Sequence, residues 1–254
     1  MAQAAPEIES ETVLSQTLTY YGETVDWLVH HHSRYAEVTT HDLDADLRVN
    51  AVWKLGGESL ALTGPLVRLL IDGYTGQTWP TMRAIHESNR LLVAVTDPQE
   101  ERIVRRWLAD KEVKQAEARQ AEERGAKRIA EEMRKAGLDT DVDSIGALAR
   151  TIYAGMSKAV HHRRSFVDEG VDPEQRTMIY GPDPRLDRRI EYTVYAGSLV
   201  QEVLLEVGDS LCFLWGRESD FYGVHLTPMI EQMATVLDAL NFVHATGRLG
   251  SPTE

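Results

Sequence analysis

The chain has 254 residues, 43% of them hydrophobic, which suffices for one large domain or two small ones. Its net charge of −13 disfavours non-specific binding of nucleic acid, where basic surface must meet phosphate. The one cysteine, Cys212 in the apolar run SLCFLW, excludes an internal disulfide and a CxxC-type metal knuckle.

The start, MAQAAPEIESET, carries acids and no basic segment, so it does not read as a secretory leader. No stretch approaches the roughly 18 uncharged apolar residues of a membrane span. The expected compartment is a reducing cytoplasm. Residues 1–10 and 249–254 read as tails, and 11–248 as a single helical domain.

From Glu11 to Tyr35, Val13, Leu14, Leu18, Tyr21, Val25 and Leu28 recur at helical spacing. A second helix follows the acidic stretch HDLDAD, with breaks expected at LGG (55–57) and TGP (63–65). IDGYTGQ reads as a turn, and the next helix is expected to start near Pro80. In TDPQEE, Asp97 is the expected cap of the following helix, with Pro98 at its first position and Glu100 completing a capping box. That helix reads as long and partly solvated, about 98–136, able to project from the body.

Asp141 or Asp143 caps a helix over 144–164. Residues 165–187 hold three prolines and read as a loop. Strong helical periodicity returns over 188–216, and a last helix follows Thr227 and Pro228. The fold class is all-α: an antiparallel bundle of six or seven helices.

Tyr153, Ser157 and His161 stand four residues apart and share one side of their helix, beside the apolar row Ile152, Met156, Val160. Arg83 and Glu87 form a second polar pair at the same spacing, with His86 beside them. If the two helices pack, these side chains form a buried polar network that fixes register, because buried polar groups are satisfied by one another. The catalytic alternative makes His161 an acid or base, with Arg83, Arg163 or Arg164 holding phosphate.

The order RAIHE, TDPQEERIVRRWL, YAGMSKAVHH resembles a family of bacterial helical proteins distantly allied to the HEPN superfamily. In that family an Arg-x-x-x-Glu helix precedes one ending Tyr-x-x-x-Ser-x-x-x-His. The matching positions are Arg83, Glu87, Tyr153, Ser157 and His161, and the likeness covers roughly residues 50–215. It implies an all-α bundle, often dimeric, with no established activity. The polar helix at 109–136 has no clear counterpart in the family.

HEPN ribonucleases are similar to one another in an Arg-x4–6-His motif. Only Arg34 and His41 meet that spacing here, away from the expected bundle face, and read as coincidence. No histidine has a glutamate three residues before it, so a di-iron bundle is not indicated. His30, His31 and His32 point about 100° apart and cannot share one metal. A zinc site on His161 and Glu87 is the weaker alternative, and the sequence predicts no metal and no cofactor. No phosphate-binding glycine motif follows a strand, and Ser157 lacks a nucleophile elbow.

Two functional readings result. The first is a non-catalytic module that forms a homo-oligomer or binds a protein partner, without membrane or nucleic acid. The second is a HEPN-like, metal-independent ribonuclease or toxin-like effector in phage defence, with RNA as its substrate.

Overall fold

The computed structural model of the chain describes residues 4–38, 46–121, 123–124, 127, 171–172, 177–178, 181–215, 224 and 226–246. The architecture is all-α. The first helix, α1, spans Ala4–Val38. The tail expected over residues 1–10 is therefore helical backbone from Ala4 onward. Pro6 falls in the first turn, where amides need no intrahelical partner.

Helix α2 spans Leu47–Ile71 and runs through both expected breaks. Asp46 caps it, accepting from the amides of Arg48 and Val49 at 2.9 and 3.1 Å. Gly56 and Gly57 serve packing. A Cβ on Gly57 would stand 3.1 Å from the His32 ring of α1, and one on Gly56 would stand 3.5 Å away. Pro65 stays inside the helix because Leu60, Leu66, Val67 and Leu70 are buried around it, and that burial outweighs local propensity.

The helix ends in a Schellman motif. Gly73 donates to Leu70 O and Tyr74 to Leu69 O, at 3.0 and 2.8 Å, with Gly73 at φ +80°. IDGYTGQ is thus the expected turn, but α3 begins at once, spanning Thr75–Thr96. Pro80 lies inside α3 rather than at its start. The carbonyl that Pro80 leaves without an amide partner belongs to Gly76, on an exposed turn.

The capping box expected at Asp97 and Glu100 does not form. Asp97 ends α3, and its carboxylate accepts from the Gln99 amide at 2.9 Å. Glu100 instead binds Arg124 through Nε at 2.8 Å and Nη2 at 2.5 Å. Arg48 serves the end of α3, donating to the carbonyls of Val95 (2.7 Å), Asp97 and Pro98 (3.3 Å). A cation there satisfies orphan carbonyls and the negative end of the dipole together.

The single helix expected over 98–136 is divided. α4 spans Glu101–Leu108 and closes in a second Schellman motif, with Asp110 at φ 53°. Asp is one of the few side chains that tolerate this conformation. Arg106 then fixes the break by donating to Glu112 O at 2.6 Å and to Glu117 at 2.8 and 2.9 Å. Residues 115–121 resume as α5. The outer face of this region is solvated, as expected; residues 128–136 lie outside the described residues.

Within the segment expected to be a loop, β1 (Val171–Asp172) and β2 (Thr177–Met178) form a minimal antiparallel ladder, Val171 opposite Met178. Helix α6 spans Leu186–Trp215 and α7 spans Thr227–Thr246, close to expectation.

One hydrophobic core draws on α1–α7. Tyr21 of α1 donates to Thr193 O of α6 at 3.3 Å, and Tyr35 meets Trp215 edge to face, so α1 and α6 run in the same direction. Leu226 packs over Gly208 and Leu237 over Gly197, which sets α7 antiparallel to α6. Gly73 joins these layers. Its carbonyl accepts from the Asp183 amide at 2.8 Å, and a Cβ on it would stand 3.2 Å from Pro182. Gly73→Ala is expected to lower stability in urea by about 1–2 kcal/mol, the cost of a side chain in the left-handed region. An unchanged midpoint would contradict this account of the turn.

Candidate functional site

The inward row of α3 holds Met82, Ile85, His86, Asn89 and Leu92, all buried. Two polar side chains in such a row need partners, and α6 supplies one. The Glu202 carboxylate lies 3.1 Å from His86 Nδ1 through each oxygen, and Asn89 Nδ2 donates to Oε1 at 3.2 Å. An ionised carboxylate only accepts, so His86 Nδ1 carries the proton in this bond. The His86 side chain is 4% exposed and that of Glu202 29%, so the contact runs from the dry interior to its edge.

A second buried pair lies close by on α2 and α3. Ser59 Oγ donates to Ser88 Oγ at 3.1 Å, and Thr63 donates to Ser59 O at 2.6 Å. Polar bonds thus join α2 to α3 and α3 to α6 across an apolar interior.

Arg83 and Glu87, half-buried on the edge of α3, bind one another, Nε to Oε1 at 2.8 Å. The structure brings this predicted pair together as an i,i+4 ion pair beside His86. Tyr153, Ser157, His161, Arg163 and Arg164 lie outside the described residues, as do Asp141 and Asp143. Arg34 is exposed on α1, and His41 is also outside the described residues.

The three consecutive histidines diverge as their spacing requires. His30 is exposed, His31 half-buried and His32 buried. His32 stacks on Trp53, ring centroids 5.6 Å apart and planes at 7°, and its Nε2 donates to Trp53 O at 2.8 Å. Burial holds its pKa below the usual 6.5. Cys212 is half-buried rather than fully buried, and burial together with Asp209 pushes its thiol up to about 11, so it is a poor nucleophile. Among the described residues no group of three His, Cys, Asp or Glu is placed to hold a metal ion. No helix among them is long and apolar enough to cross a membrane.

Sequence reasoning missed Asn89, Glu202, Ser59 and Ser88. A signal for part of this exists: His86 and Asn89 fall in phase with Met82, Ile85 and Leu92, so two polar groups enter a core row. Glu202 sits beside Leu199 and Val203 on α6, 116 residues from His86, and nothing local announces the pairing.

Comparison with family models, curated proteins and solved structures gives no match.

His32 yields a pH prediction. Its folded pKa lies below the unfolded value near 6.5, so the unfolded chain binds the proton more readily. Stability contributed by neutral His32 is complete above 6.5 and is lost as pH falls below it. Urea unfolding at a series of pH values is expected to show His32→Gln with a flatter loss between pH 7 and 5 than the native chain. Parallel curves would contradict it.

Proposed function

We propose that the protein is a non-catalytic helical module that acts by self-association. The observation that carries this reading is the engagement of its core polar groups with one another. His86 and Asn89 hold Glu202, Ser59 holds Ser88, and Arg83 holds Glu87. An acid or base at work needs reach to a substrate proton; His86, Asn89 and Glu202, and Ser59 and Ser88, instead join helices, while Arg83 and Glu87 pair within α3.

The surface fits association. Val29 on α1, Leu205 on α6 and Phe242 on α7 are large apolar side chains left 41%, 38% and 57% exposed, available for burial against a second copy. The net charge of −13 opposes RNA as a ligand. A cytoplasmic location fits the single cysteine, and dimers are frequent in the HEPN-related bacterial bundles that the sequence resembles.

Sedimentation equilibrium at micromolar concentration is expected to give a mass near twice the 28.6 kDa of one chain. RNA incubated with the protein is expected to stay intact. A monomer that cleaves RNA, with cleavage lost in His161→Ala and the circular dichroism spectrum kept, would overturn the proposal in favour of a ribonuclease.

A further inference from the structure

Away from the polar network, three helices border an open cleft of about 350 Å³. Glu11, Leu14, Ser15 and Leu18 of α1 form one wall, Ile71 ends α2 beside it, and Arg189 enters from the first turn of α6. Leu14 and Leu18 are buried and Ile71 is 43% exposed, so the cleft has an apolar part.

Arg185 pairs with Asp183 and Arg188 with Glu191. The Arg189 side chain makes no hydrogen bond or ion pair with any described residue, and its Nε is shielded from water without an acceptor. The chain has 40 acidic residues against 27 basic ones, so acids are not scarce. The Glu11 carboxylate, exposed on the α1 wall, is likewise unpaired among the described residues. Arg189 and Glu11 thus line one cleft without pairing, with Leu14, Leu18 and Ile71 beside them.

The geometry points to a binding site for a small zwitterion with an aliphatic body, an aliphatic α-amino acid. Its carboxylate bonds to the Arg189 guanidinium, which presents paired donors to such a group. Its ammonium faces Glu11, and its side chain lies against Leu14, Leu18 and Ile71. Each simpler ligand class leaves something unsatisfied. A phosphate ester is repelled by Glu11, a simple amine leaves Arg189 without a partner, and a polar anion makes no use of the apolar wall. The volume stands near the lower end for small-molecule sites, which are about 300–1,000 Å³, and so suits an amino acid better than a nucleotide. This inference goes beyond the proposed self-association and stands or falls separately from it.

The test is isothermal titration of the full chain with L-leucine, isocaproate and isoamylamine, the last two each lacking one of the charges. L-leucine is expected to bind saturably at one site, and each analogue about tenfold more weakly, the loss of one charged contact. Arg189→Gln is expected to lose leucine binding while keeping its circular dichroism spectrum. Absence of leucine binding to the native chain would overturn the inference. So would isocaproate binding as tightly as leucine, or a folded Arg189→Gln that binds as the native chain does. If Arg189→Gln fails to fold, the analogue series on the native chain decides the matter alone.

Discussion

The bond between His86 and Glu202 sets the terms for the rest of the bundle. Apolar contacts between helices are non-directional and tolerate sliding. A polar contact across the interior does not. Moving α6 one turn along α3 displaces Glu202 by about 5.4 Å and strips the acceptor from both His86 and Asn89. Each buried donor left without a partner costs about 1–3 kcal/mol, a large share of a domain's net stability. One carboxylate thereby selects one register of α6 against α3.

That register propagates. With α6 fixed, Thr193 lies under the Tyr21 hydroxyl, Trp215 meets Tyr35, and α7 packs back along α6 over Gly197 and Gly208. Ser59 and Ser88 make the same kind of choice between α2 and α3. His32, clamped between Trp53 and the glycines of α2, does it between α1 and α2. The pairs α1–α2, α1–α6, α2–α3 and α3–α6 each carry a directional contact within an otherwise greasy interface, whereas α6 and α7 meet through apolar packing. The proposed function rests on this economy: among the described residues, His32, Ser59, His86, Ser88, Asn89 and Glu202 serve the packing of helices.

Elements with strong periodicity are legible in the sequence. The long helix near 188–216, the helix after Thr227 and the turn at Gly73 stand where residue pattern puts them. Several differences share one cause, a local rule overridden by a partner outside the local pattern. Gly56 and Gly57, expected to weaken α2, make room for His32, which belongs to another helix. Glu100 should cap its own helix and instead reaches Arg124. Arg106 finds Glu112 and Glu117, and a continuous-looking helix breaks at 109–114. The site divides the same way. Arg83 and Glu87 were readable because four residues separate them. Glu202 was not, because its partner lies on a helix whose packing no local pattern specifies.

The most direct test of the central claim is a double-mutant cycle on His86→Leu and Glu202→Leu, read by urea unfolding. If the pair is a structural lock, the singles each destabilise and the double loses less than their sum, with a coupling of about 1–3 kcal/mol. Additive losses, with no coupling between the two positions, would mean that the imidazole and the carboxylate do not hold α3 to α6.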